Sequence, residues 1–403
     1  MNRRFIIIFI LAFSLLLPSC GTPEKPVLSE SKHKPAATTP ILSKDGEYKL
    51  TGFIGKSIPI TVVLVKNGNS LTGELTDESK KQCYRIDGGI GSFSQVVESN
   101  QRISLDEKDQ QGKVIGTFEG AVLSPNRVVG IWSEGDYPDP DPAKNENVPH
   151  LPFSLQPIDV PIQKLSIPKL ETTQKWAGRW YRQTHSMDYG ELNVAFVSAD
   201  ILWFWLDVNA GAHMGFTAGP ALINNNKAMY RDEGGSQLSF QLKGQDLVVT
   251  SNEAMDNQAG VGVTFAGLFA RTPAKDPTLS ELGVLQNSLQ EEAFRDLVGD
   301  DYNSFRDCFN LCHLEDDLDG FGASVHAGHV RGSAPGYNAI VMVTPDNRIW
   351  AAVINDDRSD NILYFTNTKD VCKLPKTIVE WCSNSQFRKV EYMSDKKHGS
   401  GTN

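Results

Sequence analysis

The sequence predicts a mainly β protein: two antiparallel β-barrel or sandwich modules, followed by a small α+β domain. Between residues 46 and 272, short apolar runs alternate with polar residues at period two and are separated by turn residues. Each half of this region has a Thr-Phe-x-Gly strand near its end, at Thr117–Gly120 and Thr264–Gly267. Helical spacing appears only after residue 273. Together these patterns indicate two related β modules and a third domain of different character.

The first 20 residues have the pattern of a secretory signal that ends in a lipidated cysteine. A basic start at Arg3 and Arg4 precedes 13 mostly apolar residues and then Leu17-Pro18-Ser19-Cys20. Such a run rises about 20 Å as a helix, which is too short to span a bilayer. A cysteine directly after the cleavage site matches the lipobox, whose thiol receives a diacylglycerol. The alternative is an ordinary signal with a chance cysteine, since Pro18 is uncommon in that motif.

Acyl chains on Cys20 predict the location of the mature protein. Several chains on one residue give durable attachment, so we expect a lipid anchor in the cell envelope. The expected site is the outer membrane, on its periplasmic face or at the cell surface. Residues 21–45 are rich in Pro, Thr, Ser and Lys without apolar periodicity, which predicts a flexible tether, and residues 396–403 are expected to be a disordered tail.

The charge balance limits the classes of partner. Without the two arginines of the signal, 37 basic and 49 acidic side chains remain. This excess of acid argues against nucleic acid and anionic lipid surfaces, and it favours a cationic protein. Five cysteines remain after Cys20, and four of them lie in the last hundred residues. We expect Cys308 or Cys312 to pair with Cys372 or Cys382, with the connectivity left open.

Each β module is expected to hold about eight strands, enough to close a barrel. In module 1, residues 46–156, Ser57–Val65 and Ser70–Leu75 flank the turn at Asn67-Gly68-Asn69 and predict a hairpin. In module 2, residues 157–272, the last predicted strand runs from Val261 to Phe269. A proline-spaced connection at 156–174 separates the two modules.

The α+β domain is predicted over residues 273–395. Ser288 and Glu291 form a capping box that opens a helix, and a second helix follows from Asp300 through Cys312. Four strands and a short helix complete the order, with bounds at 322–330, 338–343, 348–354, 362–366 and 376–382.

No complete catalytic motif occurs in the sequence. The phosphate-loop pattern is incomplete and no G-x-S-x-G elbow exists, so we predict no catalytic residue and no cofactor. His326 and His329 should point to opposite faces of one strand, which makes a shared metal unfavourable, and no metal site is predicted. Catalysis by these histidines with the nearby aspartates is the least favoured alternative.

Two groups of residues are candidates for binding. Between residues 291 and 319 there are ten acidic and two basic side chains, which predicts either a solvated helical face or a surface for a cationic protein. The partner-binding candidates are His329, Arg331, Asp316, Asp317 and Asp319. In module 2, Trp203 and Trp205 share one strand face and, with Trp180, could line a cavity for an apolar ligand or simply fill the core.

The third domain resembles the Ivy-type periplasmic lysozyme inhibitors in the order of its elements. Helices come first, then a sheet with the histidine-bearing stretch Ala327–Tyr337, then the hairpin strands and a short helix. The family's loop is clamped by two cysteines, and none flank His329 here. The resemblance implies inhibition of a lysozyme-like hydrolase through His329. The β modules resemble lipocalin-like repeats of exported lipoproteins, so the alternatives are a carrier of an apolar molecule and a structural lipoprotein of the envelope.

Overall fold

The computed structural model describes residues 41–92, 101–124, 126–135, 150–161, 175–232, 234–383 and 387–393. It is mainly β, with two closed eight-stranded antiparallel barrels and a six-stranded sheet that carries short helices, so the predicted fold class is confirmed. Within the described ranges, no helix has the length and apolar character needed to cross a membrane. Cys20 and the tail at 396–403 lie outside the described residues.

The first barrel runs in simple up-and-down order. Its strands are β1 Gly46–Ile54, β2 Ile58–Asn67, β3 Ser70–Asp77, β4 Gln82–Ser92, β5 Gln101–Lys108, β6 Val114–Ser124, β7 Arg127–Glu134 and β8 His150–Pro157. Each strand pairs with the next, and β8 returns to β1 with Leu155 opposite Gly52. Alternate residues such as Ile60, Val62 and Leu64 fill the lumen, as period two requires. Because β8 pairs with β1, the sheet is closed and has no open edge. The first module is therefore a barrel and not a sandwich.

The predicted tether is wrong for its last residues. Ile41 and Leu42 are buried and pack into the core of the first barrel. Two adjacent apolar side chains gain more from this burial than from remaining in a solvated linker. The part of the tether that precedes them lies outside the described residues.

The second barrel repeats the same architecture. Its elements are β9 Gly178–Arg182, β10 Gly190–Phe196, β11 Ile201–Ala210, β12 His213–Asn224, β13 Lys227–Arg231, β14 Gln237–Lys243, β15 Asp246–Ser251, the short helix α1 Glu253–Asp256 and β16 Gly267–Ala270. The prediction that the last strand begins at Val261 is wrong. The carboxylate of Asp256 accepts hydrogen bonds of 3.0 Å from the Thr264 hydroxyl and the Phe265 N–H, and these hold the preceding residues as a loop.

The third domain is a mixed sheet with helices on both faces. Its elements are α2 Ser288–Val298, α3 Tyr302–Cys308, β17 Leu311–Leu314, β18 Ser324–His329, β19 Tyr337–Val343, β20 Ile349–Asn355, β21 Ser359–Thr366, α4 Lys376–Ser383 and β22 Val390–Tyr392. The strands lie in sequential order, antiparallel except for the parallel pair β21–β22. Residues of α2 and α3 pack on one face of the sheet, and α4 packs on the other.

Three details of the predicted third domain are wrong. The N-cap of α2 is Asn287, whose side chain accepts a 3.0 Å hydrogen bond from the Gln290 N–H, so Ser288 is the first helical residue. Cys312 lies on β17, because α3 ends four residues earlier. The strands β17 and β22 were not predicted, since each is short and lacks a clear alternation.

The predicted disulfides are also absent from the described residues, where Cys83, Cys308, Cys312, Cys372 and Cys382 form no disulfide with one another. Cys308 is buried with the residues of α2 and α3, whereas Cys382 packs among the residues around α4. The sheet therefore stands between these two thiols. Disulfide geometry requires Cα atoms within about 7 Å, which two side chains on opposite faces of a sheet do not meet.

Candidate functional site

An open groove lies between residues 315–318 and α4. Its volume is about 280 Å³. We call it the acidic groove, and its lining residues are Glu315, Asp316, Leu318, Ile340, Thr377, Glu380 and Trp381. Ile340 and Trp381 are buried and form an apolar floor, whereas the residues that carry the three carboxylates are exposed. The groove therefore combines an apolar base with a negatively charged rim.

The floor of the acidic groove is part of the core on the α4 side of the sheet. Ile378 and Trp381 of α4 pack with Ile340 of β19 and with Val325 and Ala327 of β18. Because side chains four residues apart lie on one face of a helix, Thr377 and Trp381 both face the sheet. The same turn of the helix leaves Glu380 exposed beside them.

Two of the predicted partner-binding carboxylates hold the groove's other wall in place. Asp317 accepts hydrogen bonds from the N–H groups of Asp319 at 3.2 Å and Ala323 at 3.0 Å. Asp319 accepts from the Lys376 N–H at 2.8 Å, and from the Thr377 N–H and hydroxyl at 3.1 Å each. An acceptor of this kind at a helix N-terminus satisfies donors that the helix itself leaves unpaired. The carboxylates of Asp317 and Asp319 thus accept backbone hydrogen bonds that stabilise the fold, whereas Asp316 faces the groove.

The rim of the acidic groove suits a cation that has an apolar stem. Oε1 of Glu315 lies 3.0 Å from Nε2 of His313, while Asp316 and Glu380 complete the negative side. Lysine and arginine bury their methylene stems on apolar surface and keep the charged end near water. Exposed ion pairs contribute only about 0.2–1 kcal/mol each, so a cation bound here would need both the carboxylates and the apolar floor.

His329 and Arg331 do not join the acidic groove. The ring of His329 lies 6.4 Å from that of His313, and burial and the neighbouring imidazole lower the pKa of His329. Arg331 instead contacts the second barrel. Its carbonyl accepts a 2.9 Å hydrogen bond from the Ala212 N–H, and its guanidinium lies so close to Gly262 that a Cβ there would meet Nη1 at 2.6 Å.

The histidine-bearing loop is therefore held by the second barrel. Besides the contacts of Arg331, the His213 ring packs against Gly332, and His213 Nδ1 lies 2.7 Å from the Val261 carbonyl. The Arg331 N–H also donates to Asn310 Oδ1 at 3.1 Å. The resemblance to Ivy-type inhibitors implied a loop that enters a partner's cleft. In this chain, the described loop packs against the second barrel of the same chain.

The three tryptophans of the second barrel are separated rather than gathered around one cavity. Trp180 lies in the lumen, donates a 2.9 Å hydrogen bond to the Trp176 carbonyl and carries the Arg271 guanidinium 3.6 Å from its ring centre. Trp203 and Trp205 share a face, as predicted, but that face points outward. They pack against Ala121, Val129 and Ile131 of the first barrel and form the interface between the two barrels.

The lumen of the second barrel is filled by its own side chains. Phe204 lies between Tyr230 and Phe240, with ring centres 5.2 and 4.8 Å apart. Such distances are typical of packed aromatic pairs. The prediction that Trp203 and Trp205 line a ligand cavity is wrong, because Leu202, Phe204 and Leu206 take the inward positions of β11.

Cys312 of β17 and His326 of β18 do not form an activated nucleophile. His326 lies 3.9 Å from the Cys312 sulfur and 3.0 Å from the Ser324 hydroxyl, on the face opposite His329. Burial raises the pKa of Cys312 and lowers that of His326, so the thiol and the neutral imidazole are favoured over an ion pair. In the described ranges, no group of three or more His, Cys, Asp and Glu side chains is arranged to hold a metal.

Sequence reasoning missed the α4 side of the groove. Thr377, Glu380 and Trp381 lie on a helix that the sequence predicted, but no motif linked them to Glu315 and Asp316, more than 60 residues earlier. The available signal was Asp319, whose role as a helix cap joins the two segments.

Comparison with known proteins does not change this description. No protein-family model matches the chain, and a search of curated proteins finds no significant relative.

Proposed function

We propose that this protein is a non-catalytic lipoprotein, anchored to a membrane through Cys20, that binds a cationic protein in the acidic groove of its third domain. The observation that carries the proposal is the arrangement of Glu315, Asp316 and Glu380 around a buried apolar floor. A lysine or arginine side chain of the partner fits this chemistry. The lipid anchor would hold the groove at the surface of the envelope.

The electrostatics of the whole chain support a cationic partner. The mature chain has 12 more acidic than basic side chains, and the carboxylates of Glu315, Asp316 and Glu380 stand together at the groove. Clustered charge of one sign raises the rate of encounter with an oppositely charged protein, and salt screens this effect over about 8–10 Å. Binding to the acidic groove is therefore expected to weaken as ionic strength rises, mainly through slower association.

The test compares two variants of the full chain with equal changes in charge. One carries Glu315→Gln, Asp316→Asn and Glu380→Gln. The control carries Glu253→Gln, Glu292→Gln and Asp300→Asn at exposed positions outside the groove. With a basic lysozyme as the probe, calorimetric titration should show binding about tenfold weaker for the groove variant and within about twofold of wild type for the control. Equal weakening in both variants would mean that only long-range charge matters, and would overturn the proposal.

The same mixtures test the more specific expectation of lysozyme inhibition. A turbidity assay on bacterial cells with equimolar protein reports whether binding blocks hydrolysis. Because Arg331 and Gly332 contact the second barrel, we expect the groove to carry the binding and the histidine-bearing loop to contribute little. Undiminished lysis by every class of lysozyme tried would reject inhibition but leave binding by the acidic groove intact.

A further inference from the structure

The strand β17 forms one edge of the third-domain sheet, and its register decides which backbone groups face outward. The Glu315 N–H donates to the Val325 carbonyl at 3.1 Å. Leu311 and His313 lie four and two residues earlier, so their backbone N–H and C=O groups also point toward β18. In an antiparallel pair, the residues between such positions direct their N–H and C=O groups away from the partner strand. Those residues are Cys312 and Leu314.

Three of the four residues of β17 are exposed. Cys312, His313 and Leu314 are exposed, and the Leu314 side chain is 72% exposed. In the part of the chain that the structure describes, no strand pairs with this side of β17. An exposed apolar side chain beside unpaired backbone groups is the arrangement to which an extended segment adds as a further strand.

We infer that the outer edge of β17 receives an extended segment of the cationic partner as an additional antiparallel strand. The inference rests on the proposed function, because Glu315 belongs both to the acidic groove and to the end of the β17 ladder. A basic side chain of the added strand would enter the groove while its backbone pairs with Cys312 and Leu314.

Period two gives this segment a definite side-chain pattern. Residues opposite Cys312 and Leu314 share the face of the exposed leucine, so they are apolar. Residues opposite His313 and Glu315 share the face of the acidic groove, so they are basic. The occupant is therefore a segment in which apolar and basic residues alternate.

Charge complementarity decides against a second copy of this chain as the occupant. The β17 strand of a second copy, Leu311–Leu314, contains no lysine or arginine. Antiparallel pairing of two β17 strands would therefore give Glu315 and Asp316 no basic side chain on the added strand. A basic segment meets the same carboxylates as counter-ions.

The test uses a ten-residue peptide of alternating lysine and valine with the full chain as receptor. One derivative is N-methylated at every valine, which removes the N–H groups that would face Cys312 and Leu314. The matched control is N-methylated at every lysine, whose N–H groups would face solvent. By fluorescence anisotropy, the valine-methylated peptide should bind about tenfold or more weakly than the parent, and the lysine-methylated peptide within about threefold.

A pair of receptor variants examines the same hydrogen bonds from the other side. Leu314→Pro removes an outward N–H that the β17–β18 ladder does not use, whereas Leu314→Thr keeps it. We expect only the proline variant to lose about tenfold in affinity for the parent peptide.

Equal binding of all three peptides, or equal affinity of the two variants, would overturn strand addition. The proposed function would still stand if lysozyme binding depended on Glu315, Asp316 and Glu380. If lysozyme binding is insensitive to those three residues, the proposed function fails whatever the peptides show.

Discussion

Replacing Asp319 by alanine should loosen α4 without changing the part of the groove that faces solvent. The substitution removes the acceptor for the Lys376 N–H, the Thr377 N–H and the Thr377 hydroxyl, all within 3.1 Å of the carboxylate. Loss of an N-cap costs about 0.5–2 kcal/mol, and loss of the favourable charge at the helix N-terminus adds about 0.3–1 kcal/mol. We expect α4 to open more easily by about 2 kcal/mol.

Hydrogen exchange followed by mass spectrometry measures this change directly. Two kcal/mol corresponds to about 30-fold faster exchange for amides that exchange through local opening. The amides of Ile378 to Ser383 should show this acceleration, while those of the two barrels should not change. The matched control is Asp316→Ala, which removes the same charge from a side chain that faces the groove. This control should weaken lysozyme binding and leave exchange in α4 unchanged.

Unchanged exchange in the Asp319→Ala protein would refute the reasoning. It would mean that packing of Ile378 and Trp381 holds α4 in place without the cap. Equal acceleration in both variants would instead show that the charge of the segment, and not the hydrogen bonds of Asp319, stabilises the helix.

Two further predictions concern the interface between the barrels, where the ring centre of His150 of the first barrel lies 5.1 Å from that of Trp205 of the second. Trp203→Ala should lower the free energy of unfolding by about 3–5 kcal/mol. The control Phe216→Ala, at a half-exposed position on the outer surface of the same barrel, should lower it by about 0.5 kcal/mol. Differential scanning calorimetry measures both changes, and equal shifts in melting temperature would contradict the assigned interface. Burial lowers the pKa of His150 from 6.5 to about 4. Between these two pH values the unfolded chain therefore binds more protons at His150 than the folded chain does. The free energy of unfolding should fall by up to about 3 kcal/mol as the pH drops from 6.5 to 4. His150→Phe should remove that part of the pH dependence in urea unfolding, and an unchanged profile would exclude His150 as its source.

The interface between the barrels shows why sequence reasoning reached the fold class but misplaced a binding site. In β11, every residue from Ile201 to Leu206 is buried. Period two correctly placed Trp203 and Trp205 together. It could not tell which face was inward, because both faces are apolar and the first barrel covers the outer one.

The third domain shows the same limit for polar residues. Three aspartates within four positions, Asp316, Asp317 and Asp319, have the same chemistry in the sequence. In the structure, Asp317 and Asp319 accept hydrogen bonds from backbone N–H groups, and Asp316 lines the groove. Only the approach of α4, contributed by residues 60 positions later, distinguishes them.

The sequence alone determined the strand periodicity, the two repeated modules, the change to α+β character and the acidic balance, because these depend on neighbouring residues and on composition. The tertiary structure decided which faces became lumen and which became interface, where the histidine-bearing loop packs, and how distant segments form the acidic groove. These outcomes depend on contacts between segments far apart in the chain, whose energies local patterns do not contain.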